Sequence, residues 1–593
     1  MRPTTGLWHS KDATLAAARR VTGVAVLAGA AAVGCMRTAP APSRMPSPSR
    51  TTVTVAPTAG DWVSYNGNHA NDRFSSLASI TTSNVGQLAR ICTFDTGETT
   101  SFQTGPVVVN GVIYVTTHNS TYAVDGETCA LHWKHTRSAP STFLKVNRGV
   151  AYANGRLFRG STDAHLFAID AVDGETLWDI ALGDPQIGES TPMAPIVWND
   201  LVFIGTAGGD NFGVRARVYA VDAATGRQMW RFETVPESGP AAATWLRRSR
   251  DNPPTGGGMW TSLTVDTVRG VLYVPTGNPA PDFVEQLHPG ENLYTSGILA
   301  LDAHTGRLLG FVQPVKNDFH DWDIAAAPAL ITTRGGRSLL AVAAKDGFLY
   351  GIDRAAIDQV AAFRNERGLS RVSAGDVGAP GSRATLYGIA GRDAMSVRYR
   401  TATTTHFNTT ARFSSRRDTR FCPGTQGGTE WGGPAYDPSL NLLFVNAVDW
   451  CTTVRLARLD TLKGRPGAAW TGEVGGGFGR FDPKERWQGW LTAIDADNGA
   501  VRWKHRSSTP LLAPVTATAG GLLFTGDLNG TVLALDARTG RVLWFDTTRQ
   551  AIAAGITPYM IDGRQRIAVP AGLNSPIWPV TGGPARVYVY GLP

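Results

Sequence analysis

From about residue 60 onward, short apolar runs recur along the chain, each closed by a polar turn. Val218-Tyr219-Ala220-Val221 is one such run and predicts a strand. An Asp follows it, then Thr-Gly, then a second strand that delivers a Trp. The unit reads Ala-x-Asp-x-x-Thr-Gly-x-x-x-Trp. Its best copies are Ala220–Trp230 (AVDAATGRQMW) and Ala534–Trp544 (ALDARTGRVLW). Ala123–Trp133, Ala168–Trp178 and Ala493–Trp503 are close variants, while Ala300–Gly310 and the segment around Asp353 are degenerate. Asp and Thr-Gly predict a tight turn, with Gly where φ must be positive. The Trp can pack against a neighbouring repeat. Gly-bounded strand pairs such as Pro106–Thr117 and Gly520–Asn529 lie upstream of several copies. Together they predict four-stranded antiparallel sheets.

The repeat aspartates are Asp125, Asp170, Asp222, Asp302, Asp353, Asp495 and Asp536, at steps of 45, 52, 80, 51, 142 and 41 residues. The short steps fit one sheet each. The long step is expected to hold further diverged blades with insertions, Tyr436–Cys451 belonging to one of them. The predicted fold is all-β, an eight-bladed β-propeller of four-stranded antiparallel blades over residues 61–593. An open solenoid is the alternative.

Composition agrees with a packed all-β chain. Apolar residues make up 42% and charged residues 18%, with 67 Gly and 17 Trp. The formal charge of +8 is modest for 593 residues, and no run of five basic residues occurs, so no nucleic-acid surface is read.

The N-terminus reads as a targeting segment. Arg2, Lys11, Arg19 and Arg20 precede the apolar stretch Val21–Val33, which is short for a membrane span and fits a signal peptide over residues 1–34. Ala32-Val33-Gly34-Cys35 resembles a lipobox, which implies export and a lipid anchor at Cys35 as the one membrane attachment, in the periplasm or at the cell surface. Ordinary signal cleavage further on is the alternative. Residues 35–60, rich in Pro, Ser, Thr and Ala, read as a flexible tether. With Cys35 lipidated, Cys92, Cys129, Cys422 and Cys451 form an even set, and an oxidising compartment permits disulfides. No Cys-x-x-Cys-His and no zinc-spaced Cys/His cluster occurs.

Between the repeats stand Trp62–Leu88, Asn147–Tyr152 (NRGVAY), Gly208–Arg215 (GGDNFGVR), Gly256–Trp260 (GGGMW), Thr276–Pro281 (TGNPAP), His320–Asp323 (HDWD), Ala344–Arg354 (AKDGFLYGIDR) and Cys422–Tyr436 (CPGTQGGTEWGGPAY). In this order, interleaved with these repeats, they resemble the pyrroloquinoline quinone (PQQ)-dependent alcohol dehydrogenases. PQQ is a flat tricyclic anion with three carboxylates and an ortho-quinone, so it needs an aromatic platform, cationic clamps and a divalent metal. The resemblance implies Trp260 as the platform, Arg148 on a PQQ carboxylate and Ser161 as a hydroxyl contact. It implies Lys345 beside the quinone oxygens, where it would stabilise negative charge. Asp323 matches the catalytic base and, with Asn278, the metal ligands. Hard oxygen ligands imply calcium. The lanthanide-dependent relatives carry an extra Asp two positions after the base; here that position is Ala325. The resemblance also implies a Cys422–Cys451 disulfide, with Cys92 and Cys129 remaining for each other.

Several positions depart from the family. Gln103 stands where a cofactor-contacting Glu is usual, and Glu430 replaces an amide beside the quinone. The metal-binding Glu falls on Asn211, with Asp210 adjacent. Neighbouring strand residues point to opposite faces, so Asp210 reaches the metal only if Gly208-Gly209 bends, and this is the expectation. Leu511-Leu512-Ala513-Pro514 holds no tryptophan where one is expected. The implied activity is PQQ- and calcium-dependent oxidation of a small alcohol, with electrons passed to a separate cytochrome c or quinone. The competing readings are a sugar or polymer-alcohol oxidoreductase with the same cofactor, and a non-catalytic propeller lipoprotein serving as an envelope scaffold or binding module.

Overall fold

The computed structural model describes residues 57–58, 60–139, 145–359, 394–580 and 582–593. The expected signal peptide, the Cys35 anchor and nearly all of the tether lie outside the described residues. Seven four-stranded antiparallel sheets and one five-stranded sheet hold most of the described strands. In chain order they span residues 107–136, 151–181, 196–233, 264–312, 329–402, 435–507 and 516–547. The remaining sheet joins Thr557–Ile561, Arg564–Ala571 and Arg586–Gly591 to Ala89–Asp95 near the other end of the chain. The fifth strand of the 516–547 sheet is Phe74–Ser75, paired parallel to Thr516–Thr518.

The repeat unit acts as its sequence predicts. Asp222 Oδ1 accepts hydrogen bonds from Ala224 N, Thr225 N and Thr225 Oγ1, closing the turn, and Gly226 follows with φ 74°. Trp178 of the preceding sheet lies over that turn. Its Nε1 donates to Ala223 O at 3.1 Å, and a Cβ on Gly226 would fall 2.9 Å from its ring. Trp133 on Ala171, Trp230 on Ala303 and Trp503 on Ala537 repeat the contact between other successive sheets. Where the repeat is degenerate, Tyr399 substitutes, its hydroxyl donating to Ala496 O. The core is accordingly a series of clusters shared by consecutive sheets, such as Leu443 and Val445 with Ala341 and Leu349.

The 142-residue step corrects an expectation. Among the described residues it contains no four-stranded sheet of its own. Tyr436–Cys451 contributes to Ala435–Asp437 and Leu442–Asp449, the first strands of the sheet that ends in the Asp495 repeat. The extra length is insertion, including a three-stranded sheet of Thr419–Phe421, Thr452–Val454 and Arg480–Phe481. The sheet built from both chain ends went unseen because it carries no repeat signature.

Cys92–Cys129 and Cys422–Cys451 are both disulfide-bonded, as the sequence reading expected.

Candidate active site

In a four-stranded meander, the loop leading into the first strand and the loop leaving the second lie at the same end of the sheet. The singled-out residues occupy these loops. Arg148 precedes Ala151–Ala153, Trp260 precedes Thr264–Asp266, Asp323 precedes Ala329–Thr332 and Glu430 precedes Ala435–Asp437, each by 3–6 residues. Asp210 follows Leu201–Gly205, Asn278 follows Val271–Pro275 and Lys345 follows Ser338–Ala343, each by 2–5 residues. Successive first strands pack side by side. The alternation of strand and loop therefore gathers these distant segments at one end of the molecule.

Asp323 is held from two sides. Its Oδ1 accepts from Asn278 N at 2.8 Å and its Oδ2 accepts from Lys345 Nζ at 3.2 Å. A Cβ on Gly277 would fall 2.5 Å from Asp323 Oδ1, so only glycine lets the carboxylate approach this backbone. Lys345 Nζ also donates to Asp321 Oδ1 at 3.0 Å. Burial alone would discharge this lysine, but Asp321, Asp323 and Glu430 hold its pKa well above the usual range.

Arg148 is 4% exposed. Its Nη1 donates to Trp260 O and its Nη2 to Gln103 Oε1, both at 2.7 Å. Its guanidinium carbon lies 4.7 Å from the Trp260 ring centre and 5.2 Å from that of Trp431, a cation–π arrangement. Burial lowers its pKa to about 10, so it remains a cation at neutral pH. The half-buried Trp260 rests on an apolar cluster that includes Trp431 and Leu512, with Trp431 edge-on at 6.5 Å. Glu430 is pushed up to about 7 by burial, against the pull of Lys345.

Asp210, Asp282 and Asp321 each offer a carboxylate oxygen within 4.8 Å of the others. The chain bends at Gly208, φ 98°, and Asn211 N closes the turn on Gly208 O. Asp282 Oδ1 accepts from Asn278 Nδ2 at 3.1 Å. Burial and then Asp323 push Asp210 up to about 6. Asp282 is raised by burial and by Asp210, and Asp321 is raised by burial despite Lys345. Buried like charges oppose one another's ionisation, and a hard cation among them reverses that logic.

Two expected residues use their side chains on neighbouring loop residues. Asn211 Nδ2 donates to Gly188 O at 3.1 Å, so the tight turn spends its amide on neighbouring backbone. Ser161 is drawn into its own turn. Its hydroxyl donates to Asp163 Oδ1, and Asp163 pairs with Arg137 at 2.8 Å. Asp282, Asp321 and Trp431 were missed by sequence reasoning. Asp321 lay inside the quoted His320–Asp323 motif and Asp282 directly after Thr276–Pro281, so proximity to those motifs was the available signal.

The site can be tested for PQQ and its cation on its own atoms. Arg148 Nε, Glu430 Oε1 and Asp282 Oδ2 are buried and have no hydrogen-bond partner among the described residues. An unpartnered cationic donor beside a partly open Trp face suits a planar anion, and an unpartnered carboxylate oxygen among acids suits a hard cation. The residues fit the group.

A family profile described as "Glucose/ethanol/alcohol dehydrogenase, beta-propeller domain" matches residues 62–366, and one described as "Outer membrane protein assembly factor BamB" matches residues 488–572. The lanthanide-dependent methanol dehydrogenase of Methylacidiphilum fumariolicum is 28% identical over 556 residues, covering 87% of this chain and 85% of the relative. The quinohemoprotein alcohol dehydrogenase of Comamonas testosteroni is 29% identical over 548 residues, covering 86% and 72%. Among solved structures, the quinohemoprotein alcohol dehydrogenase ADHIIG of Pseudomonas putida HK5 superposes with a TM-score of 0.73 at 25% identity, covering 90% of this chain and 80% of that one. A europium-containing methanol dehydrogenase shares the fold, with a TM-score of 0.75 at 24% identity, covering 90% and 98%. With more than half its length matched by the first profile, the chain belongs to the PQQ β-propeller family of glucose, ethanol and alcohol dehydrogenases and is a quinoprotein alcohol dehydrogenase-like oxidoreductase.

Proposed function

We propose that this chain oxidises a small primary alcohol or related hydroxy compound with PQQ and a hard cation, and passes the electrons to a separate cytochrome c or quinone. The observation that carries the reading is the meeting of Arg148, Trp260, Glu430 and the Lys345–Asp323 pair at one end of the sheets, with buried polar atoms left unpartnered there. When bound, PQQ would supply an ortho-quinone able to accept a hydride, and a bound cation would supply Lewis acidity at that site. Trp260 would carry the ring face, and Arg148 would hold a carboxylate by charge-assisted hydrogen bonds. Asp323 would take the alcohol proton. Asn278 N–H and Lys345 Nζ fix the orientation of its carboxylate before substrate arrives. Lys345 also supplies positive charge where negative charge develops. Asp210, Asp282, Asp321 and Asn278 would surround the cation.

The reading extends to the whole chain. The eight sheets form the blades of one closed propeller, and Cys35 carries a lipid anchor that holds the exported protein outside the cytoplasm. The scaffold alternative leaves the buried acids around Lys345 without a purpose, and the BamB-type match, residues 488–572, lies outside them. Dye-linked oxidation of a primary-alcohol panel after loading with PQQ and either calcium or a lanthanide tests the function. Turnover with at least one alcohol is expected, and no turnover with stoichiometric PQQ bound would overturn it.

A further inference from the structure

The turns that join first to second strands lie at the end of the sheets opposite the candidate site. There, between the sheets spanning residues 151–181 and 196–233, is a cavity of about 300 Å³ whose lining includes His69, Arg156, Phe158, Val197 and Asp200. Its polar groups are left free of one another. Arg156 Nε is buried and has no hydrogen-bond partner among the described residues. Arg156 Nη1 has one long bond, 3.5 Å to Ala223 O, an acceptor that Trp178 Nε1 already uses at 3.1 Å. The Asp200 carboxylate pairs with neither Arg156 nor any other described residue. His69 Nε2 meets Val197 O at 2.7 Å. A carbonyl only accepts, so Nε2 carries the hydrogen and Nδ1 of the neutral ring keeps its lone pair.

The turn that carries Asp200 differs from its siblings. Asn110-Gly111, Asn154-Gly155, Asn199-Asp200 and Asp562-Gly563 each close a hairpin between first and second strands. Both residues of each have positive φ. That geometry favours glycine in second place. Of these four turns, only the one at the cavity gives up the glycine, for Asp200 at φ 61°. A carboxylate held there carries a backbone cost that no partner in the fold offsets.

We propose that this cavity binds a small zwitterion of the α-amino acid type with an apolar side chain. Its carboxylate meets Arg156, its ammonium meets Asp200 and His69 Nδ1, and its side chain lies against Phe158 and Val197. A guanidinium with an orphan donor suits a carboxylate, and an unpaired carboxylate suits an ammonium, both through charge-assisted hydrogen bonds. One cation and one anion on the same lining favour a ligand that carries both charges, and each repels the ligand that carries only its own sign. The volume falls at the small end of ligand pockets, about 300–1,000 Å³. The site involves neither the quinone nor its cation, so it stands or falls apart from the proposed function.

Calorimetry on the full-length chain with L-phenylalanine, phenylpropionate and phenethylamine tests the proposal, because the three share one ring and differ in charge; L-leucine is titrated beside them. One L-phenylalanine or L-leucine per chain is expected, with a dissociation constant below about 1 mM. L-Phenylalanine is expected to bind at least about tenfold tighter than either single-charge analogue. Arg156→Gln should weaken it at least about tenfold. Asp200→Gly restores the residue of the sibling turns, so the melting temperature should not fall. The same variant should weaken L-phenylalanine at least about tenfold and phenylpropionate by less than about threefold. No saturable binding of either amino acid up to about 10 mM would overturn the proposal. So would equal binding of phenylpropionate by the unaltered chain, or undiminished L-phenylalanine binding in Arg156→Gln or Asp200→Gly.

Discussion

At the scale of single residues, the site sets one oriented carboxylate, Asp323, near the grouped acids Asp210, Asp282 and Asp321. Asp323 is oriented by a backbone N–H and by Lys345, so Asp323→Asn removes the proton acceptor without removing the shape of the site. Alcohol oxidation is expected to fall at least about a thousandfold, with PQQ affinity within about threefold of the unaltered chain; stopped-flow reduction and a binding titration read the two separately. The family resemblance implies an amide at the position of Glu430. With its pKa raised to about 7, it is protonated below that pH and can donate a hydrogen bond as an amide would. PQQ affinity should therefore weaken as pH rises through about 7, and Glu430→Gln should flatten that profile. Arg148, Trp260, Asn278 and Asp323 were legible because each sits in a short motif at fixed spacing. Asp282 was not, since a carboxylate one residue past Pro281 looks like any loop acid until the fold brings Asp210 and Asp321 beside it. The Gly208-Gly209 bend expected to bring Asp210 toward the other acids is present, with Gly208 at φ 98° and Asp210 beside Asp282 and Asp321.

At the scale of elements, stability lies in contacts between neighbouring sheets. Trp178 covers the Gly226 turn of the next sheet, so Trp178→Ala should lower stability by about 2–3 kcal/mol, less than a fully buried Trp would cost. Gly226→Ala meets both the positive φ and the Trp178 ring and should also destabilise, by about 1–2 kcal/mol; thermal melts of the two variants check this. The Cys422–Cys451 bond flanks the loop that carries Glu430. Its removal gives the unfolded chain back about 3–4 kcal/mol of loop entropy, and it should weaken PQQ binding more than removal of Cys92–Cys129, which lies outside the site. Glu98 gives the element scale a pH signature. It accepts from Ser120 Oγ and Tyr122 Oη and pairs with Lys134 at 3.0 Å. Although burial opposes it, these donors, with Thr117, depress its pKa to about 2. A depressed folded-state pKa contributes stability above the unfolded value near 4.5 that is lost as pH falls toward about 2. Glu98→Gln should therefore cost about 1–2 kcal/mol at pH 7 and little at pH 2.5, measured by denaturant unfolding at both pH values.

At the scale of the whole molecule, one segment ties the sheets together. Between Trp62 and Arg73 the chain meets first strands in turn. Trp62 pairs with Val108, and Val63 O, His69 O, Ala70 O, Asp72 O and Arg73 O accept from the N–H groups of Tyr152, Val265, Leu330, Tyr436 and Ala517. His69 Nε2 adds a contact to Val197 O, and the fully buried Arg73 reaches Thr516 and Ile556. The strand repeat made the four-stranded units legible because its Asp, Gly and Trp each have a local job. The hub segment and the sheet joining both chain ends have no period, so only the folded chain reveals them. The gathering of the site at one end of the sheets is a consequence of the meander, and the proposed function makes this end the seat of PQQ and alcohol oxidation. Titrating apo protein with PQQ in the presence of lanthanum or calcium, followed by addition of a primary alcohol, tests this directly. One PQQ per chain is expected, cation-dependent, whose absorbance changes on alcohol addition in the unaltered chain and not in Asp323→Asn. Absence of stoichiometric PQQ binding with either cation would contradict it.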